Sequence, residues 1–188
     1  MSSLLKLSVA LLISGAAVGA FAQQKLVPAQ SEIVFVSKQM GVGVEGHFKK
    51  FDAQVNFDAA KLDASKVSFT VDMASATLGA PETDAELPKP TWFSTAKFPQ
   101  ATFVSSSIKA LGGGKFDVAG KLSIKGQVRD VVVPVAMVQT GPTTVATGVL
   151  PIKRLAFKIG EGEWADTSMV ADDVQVKFKF SLTGVGKL

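Results

Sequence analysis

The sequence predicts an all-β protein of eight or more antiparallel strands, closed into a barrel in preference to a two-sheet sandwich. Three observations carry this. Apolar and polar residues alternate over many stretches, most clearly in Val174-Gln175-Val176-Lys177-Phe178-Lys179-Phe180-Ser181-Leu182. Successive side chains on a strand point to opposite faces, so such a stretch shields one face and wets the other. Glycine-rich turns separate the stretches, Gly112-Gly113-Gly114 being the plainest connection between two strands of one pair. Finally, bulky apolar residues on one face with Lys, Gln, Ser or Asp on the other suit a wall whose outside is wet, and closure removes the exposed edges of an open sheet.

The elements follow in order. Glu32 to Ser37 is rich in β-branched and apolar residues, and Met40-Gly41-Val42-Gly43-Val44 reads as a glycine-punctured strand that bends or bulges. Phe51 to Phe57 alternates through Ala53, Val55 and Phe57, while Val67, Phe69, Val71 and Met73 share a face. Strands are expected over Ala101–Ser107 and Lys115–Ile124. Val131, Val133, Val135 and Met137 share a further face, with Pro134 marking a peripheral or bulged position. Thr143–Leu150, Leu155–Ile159 and the run to Leu182 complete the set. Residues 79–90 break the pattern with Pro and acidic residues. Thr83 and Glu86 have capping-box spacing for one helical turn, and Pro88 prevents a longer helix. A connection of this length caps the core or gates an opening.

The first residues stand apart from the fold. Lys6, the apolar run Leu7–Val18 and the small residues of Ala20-Phe21-Ala22 have the pattern of a cleavable secretory peptide over residues 1–22. The apolar run is too short for an ordinary span of about 20 residues. Residues 23–188 then form a single domain of 166 residues, long enough for a sizeable core. Without Lys6, 19 basic and 16 acidic side chains leave a formal charge of +3. The lysines are spread singly along strands, so nucleic-acid binding is unsupported. With no Cys in the chain, disulfides, thiolate catalysis and Cys-based metal sites are excluded.

Catalytic chemistry finds no machinery in the sequence. His47 is the only histidine, too few for a multi-His centre. No nucleophile elbow, dinucleotide fingerprint or P-loop is present. Glu161, Glu163, Asp166, Asp172 and Asp173 gather near Trp164 and Met169, but at no EF-hand spacing. They read as turn formers, with Trp164 and Met169 anchoring the loop. No enzyme activity, catalytic cofactor or metal is expected. What is left is the interior. Phe35, Phe57, Phe69, Phe103, Phe157, Phe178 and Phe180 either fill the core or wall a ligand cavity, with Gly41, Gly43 and Ala53 as the small residues that leave room.

Several segments together carry a resemblance. They are Ser31–Gly41, Val44–Phe48 with Phe51, Asp84–Leu87, Trp92-Phe93, Lys97–Phe103, Gly120–Gly126 and Lys153–Ile159. In this order they make the chain, over roughly residues 26–183, similar to the YceI-like family of exported lipocalin-like barrels, which are linked to binding of polyisoprenoid lipids. The resemblance implies an eight-stranded antiparallel lipocalin-like barrel with a short, partly helical connection near one end. It implies a periplasmic protein, soluble after signal cleavage, holding a polyprenyl lipid or isoprenoid quinone in an apolar channel. The lining would comprise Phe35, Phe57, Phe69, Met73, Phe103, Phe157, Trp164, Phe178 and Phe180, with Trp92 and Phe93 near one mouth. Gln39 and Lys125 stand where histidines are common, and Lys153-Arg154-Leu155 replaces the usual Asn-Arg-Ser, which bears on head-group identity more than on fold. Gln39, Glu45 and Arg154 are the rim candidates for contacting a head group. Transient membrane contact and a homodimer are the remaining expected partners. The competing reading is a packed-core stress-response or interaction module without a lipid.

Overall fold

The computed structural model describes residues 23–188; the expected leader, residues 1–22, lies outside the described residues. Its strands are β1 (Lys25–Leu26), β2 (Glu32–Gln39), β3 (Val42–Phe48), β4 (Phe51–Asn56), β5 (Lys66–Asp72), β6 (Ala76–Thr77), β7 (Gln100–Gly112), β8 (Lys115–Ile124), β9 (Gln127–Thr140), β10 (Thr143–Lys153) and β11 (Asp173–Thr183). They form one antiparallel sheet in the order β4-β5-β7-β8-β9-β10-β11-β2-β3-β6, with β1 added to β11. The alternation of β11 is realised as written. Gln175, Lys177 and Lys179 are exposed, whereas Val174, Val176, Phe178 and Phe180 turn inward.

The expected closed eight-stranded barrel does not form. The sheet curls into an open half-barrel whose two edges stand about 10 Å apart. Its ladder ends at β4 on one side and at β3 and β6 on the other. The physical reason lies in the connection, because only Lys49 and Lys50 separate β3 from β4. One continuous stretch therefore serves β2 as β3 and then β5 as β4, instead of turning back to pair with itself. The crossing is pinned by Lys49 N–H donating to Ser75 O at 3.1 Å and Lys50 N–H donating to Ser75 Oγ at 3.0 Å. At the far end of the gap the Gln24 side chain acts as a clasp. Its amide donates to Phe57 O at 2.7 Å and accepts from Phe57 N–H at 2.8 Å. Edge groups that would invite foreign strands are thereby partly covered.

Four local expectations are corrected. Met40-Gly41 is not a bent strand but the tight turn of the β2–β3 hairpin, with positive φ at both residues (49° and 81°), the signature of a two-residue primed turn. Residues 155–159 are not a strand. A 3₁₀ turn occupies Arg154–Phe157 and ends at Lys158 in the left-handed region. Pro134 marks a fork: β9 pairs with β10 only from Val135 to Thr140, and the two strands then diverge. The 3₁₀ turn fills that fork, with Arg129 Nη2 donating to Ala156 O at 2.9 Å. The capping box is absent too. In α1 (Pro81–Asp84) the cap is Ala80, Thr83 Oγ1 donates back to Ala80 O, and Glu86 pairs with Lys89.

Both ends of the half-barrel are sealed. At the end of the glycine turns, Phe57 meets Phe116 edge-on at 5.2 Å and Phe180 stacks on Phe69 at 4.5 Å, with Leu182 and Val185 behind them. The other end carries residues 79–99, which bury Leu87 and Phe93 against Met73, Ile124, Ile152, Phe157 and Ile159. This segment is fastened as a plug. Thr91 O accepts from Gly160 and Glu161 N–H, and Asp84 accepts from Thr77 Oγ1 and Leu78 N–H.

Candidate functional site

Between the two seals lies a cavity of about 350 Å³, walled by inward residues of nearly every strand. That falls in the range of small-molecule sites, about 300–1,000 Å³. Its wall is overwhelmingly apolar. Of the residues expected there, Phe35, Phe57, Phe69, Met73, Trp92, Phe93, Phe103, Trp164, Phe178 and Phe180 line the cavity. Phe157 does not. It is 2% exposed and packs beneath the guanidinium of Arg129, 6.0 Å from its ring. Phe35, Phe69, Phe103 and Phe178 are only half-buried although they face inward, because they face a hollow. Phe178 therefore touches Phe180 at 4.9 Å and also the cavity.

Glycines keep that hollow open, but not those expected. Gly41 and Gly43 are exposed in the β2–β3 hairpin. The glycines that matter are Gly46, Gly120 and Gly148. A Cβ on Gly46 would sit 2.1 Å from Phe35 Cζ, one on Gly120 2.6 Å from Phe103 Cζ, and one on Gly148 2.4 Å from Phe178 Cζ. Each ring lies over bare backbone and stays low against the sheet. The parity of Val44-Gly46-Phe48 places Gly46 inward, and cross-strand register would have revealed its partner Phe35. Register was the missing signal.

The polar groups sort differently from the sequence reading. Arg154 lines the cavity and is 2% exposed. Its Nε donates to Ala171 O, Nη1 to Ile159 O and Gly160 O, and Nη2 to Trp164 O and Val170 O, at 2.6–3.1 Å. A guanidinium has five N–H donors, so none remains for a ligand. Burial pulls its pKa below the ordinary value, with the nearby Asp172 charge opposing. Lys125 is likewise committed: its ammonium donates to Pro90 O, Lys158 O and Glu161 Oε2. It ties the plug to the 158–161 turn. Glu45 points outward beside His47, at 3.5 Å. Of the three rim candidates only Gln39 borders the cavity with its side chain unclaimed by a hydrogen bond among the described residues.

The acidic loop makes no metal site; among the described residues no three His, Asp or Glu side chains gather as a ligand set. Glu161 serves Lys125, Asp172 accepts from Leu155 N–H, and Asp173 pairs with Lys153. Asp166 accepts from Ser168 Oγ and N–H, which hold its carboxyl below the usual range. Trp164 anchors the loop by packing on Trp92 at 5.5 Å. Met169 contributes only its backbone, whose carbonyl accepts from Met40 N–H at 2.8 Å and whose N–H donates to Asp166 O at 3.2 Å, while its side chain is exposed. The site can enclose an apolar molecule; it holds no nucleophile–base pair among the described residues.

A curled antiparallel sheet around an apolar hollow is an architecture of lipocalin-like type. The chain belongs to the YceI-like domain family, whose model matches residues 24–182. BcnA of Burkholderia cenocepacia is 50% identical, with a TM-score of 0.81 over 83% of this chain and 98% of that one. A UPF0312 protein of Ectopseudomonas mendocina is 33% identical over 138 residues, 70% of this chain and 72% of the relative. A solved structure described as a polyisoprenoid binding domain from Saccharophagus degradans shares the fold at 16% identity, with a TM-score of 0.70 over 86% of this chain.

Proposed function

We propose that this protein binds an isoprenoid lipid or isoprenoid quinone within the half-barrel and sequesters or carries it. The observation that supports this is the hollow itself, an apolar space bordered by half-buried phenyl rings where a packed-core module would have interlocking side chains. Burying each CH₂-sized unit is worth about 0.8 kcal/mol, so an isoprenoid chain needs few polar contacts to be held. The description of the Saccharophagus degradans domain as polyisoprenoid binding, together with family membership, points the same way. The residues assigned to the chain are Phe35, Phe69, Phe103, Phe178 and Phe180 on the strands, with Trp92 and Phe93 on the plug.

In this reading residues 1–22 direct export to the periplasm and are cleaved, and residues 23–188 act as one soluble domain. Its insoluble cargo is collected from a membrane. Met40, Val42 and Met169 are 74%, 68% and 43% exposed and border the cavity residues Gln39 and Val170, which makes them the natural contact. Homodimer formation belongs to the outer face of β9, where Val132 and Val138 are exposed; light scattering tests it. The function itself is tested by extracting protein purified from its native periplasm and analysing the extract by mass spectrometry. A stoichiometric isoprenoid is the expected result, and repeated recovery of empty protein would defeat the proposal.

A further inference from the structure

The cavity wall holds two polar atoms that are closed off from solvent and have no hydrogen-bond partner among the described residues, Ser37 Oγ and Trp92 Nε1. Both residues line the cavity. Buried donors without partners are rare and carry a penalty, so a pair of them at one cavity calls for an explanation. Building on the apolar-ligand reading above, the geometry points to a head-group site: the Trp92 indole N–H and the Ser37 hydroxyl bind the hydrogen-bond-accepting oxygens of an uncharged head, of the class that quinone carbonyls represent.

The position of the pair gives the ligand an orientation. Along β2 the inward residues run Ile33, Phe35, Ser37 and Gln39, from the Phe57–Phe116 end toward the plug. Ser37 therefore sits one step inside Gln39, and beyond it the β2 lining is apolar. Trp92 comes from the plug at the same end and packs on Trp164 at 5.5 Å. A ligand with its polar end here has its tail running toward Phe57, Phe116 and Phe180.

The charge of the head follows from the remaining lining. Arg154 and Glu86 are the charged residues bordering the cavity. All five Arg154 donors are spent on backbone carbonyls, and Glu86, already paired with Lys89, repels a phosphate. A phosphorylated head would meet no free cationic donor among these lining residues. An uncharged acceptor meets two neutral donors, one of them an indole that can only donate.

The test uses the mature protein and three probes, a short-tailed prenylated benzoquinone, squalene and a prenyl phosphate of matched length. The two tryptophans of the chain give two indole N–H resonances, assigned with Trp164→Phe. The expected result is a downfield shift of the Trp92 indole proton with the quinone but not with squalene. Quinone should bind about tenfold more tightly, a difference of about 1.4 kcal/mol. Trp92→Phe and Ser37→Ala should each lower the quinone-to-squalene affinity ratio several-fold, whatever they do to either affinity alone. Equal binding of quinone and squalene with an unmoved indole resonance would overturn the head-group site and leave the apolar-ligand reading standing. Tighter binding of the prenyl phosphate would overturn the uncharged head. Binding of none of the three would remove both readings together.

Discussion

Replacing Gly46 by Ala tests whether the glycine–ring pairs hold the cavity open. The new Cβ would lie 2.1 Å from Phe35 Cζ and 2.6 and 2.7 Å from the two Cε atoms, with no backbone atom among those contacts. An ordinary carbon–carbon contact is about 3.5–4.0 Å, so the ring must retreat by about 1.5 Å. Phe48 at 5.2 Å and Phe93 at 6.5 Å flank it, which leaves the cavity as its way out. Overpacking costs about 1–3 kcal/mol, offset by the gain of about 0.5–1 kcal/mol from replacing a strand glycine. A net loss of about 1–2 kcal/mol lowers Tm by roughly 2–8 °C for a domain of this size. If the ring takes the room of one or two methylene-sized units, binding of an isoprenoid weakens about 4–15-fold. Gly43→Ala is the control on the same strand, because its Cβ would meet nothing within 4 Å. Calorimetry and quenching of Trp92 and Trp164 emission by a prenylated quinone provide both readouts. Unchanged affinity in Gly46→Ala, or an equal loss in Gly43→Ala, would refute the reasoning.

Three further outcomes follow from the contacts. Gln24→Ala removes both bonds to the Phe57 backbone, so unfolding free energy should fall by about 1–3 kcal/mol with faster amide exchange at Phe57; unaltered exchange there would show that the clasp does not hold the seam. Arg154→Met leaves five carbonyls without their donor and should cost at least about 3 kcal/mol in denaturant unfolding. Arg154→Lys should recover little, since an ammonium has three donors and lacks the planar fork. For Asp84, hydrogen bonds from Thr77 and Leu78 hold the folded pKa below the ordinary 3.8. Its contribution is therefore complete above the unfolded-state value and is lost as pH falls through the lower, folded one. Leu78 amide protection should collapse in that acid window in the wild type. In Asp84→Asn it should stay flat with pH, and an identical pH profile in the two proteins would exclude Asp84 as the titrating group.

How much of this was legible before the fold was known depends on the range of each signal. β8 is bounded by Lys115 and Ile124, as its alternation and the Gly112-Gly113-Gly114 turn foretell, because both signals are local. The failure of closure is not local. Sequence shows that strands have inward faces but not that β3 and β4 share one stretch of chain, since that depends on which neighbour each half finds. The 3₁₀ turn at Arg154 is hidden from the sequence for a related reason. Leu155-Ala156-Phe157 has strand-like parity, and only the cage of carbonyls from residues 159–171 turns it into a helix-like corner. Ten aromatic and methionine positions of the cavity were visible as apolar residues in phase. The partners that decide their tilt, Gly46, Gly120 and Gly148, belong to neighbouring strands.

That tilt decides whether such a sheet is hollow. An inward phenyl that stands upright reaches toward the opposite wall and fills the space, whereas one lying over a glycine leaves its neighbour's side of the cavity free. Gly46, Gly120 and Gly148 sit on β3, β8 and β10, three separate parts of the wall, so the hollow is defended at several points. The expense in packing is then met at the ends, where Phe57, Phe116 and Phe180 close one side and Leu87, Phe93 and Met73 the other. Stability and binding thus draw on different layers of the same strands, which meet at end residues such as Phe93 and Phe180 that also line the cavity. Substitutions in the sealed ends should lower stability first, while those beneath the rings should lower affinity at modest cost to the fold. Phe178, resting over Gly148 and stacked on Phe180, belongs with Phe93 and Phe180 to both layers, and truncating any of the three should lower stability and affinity together.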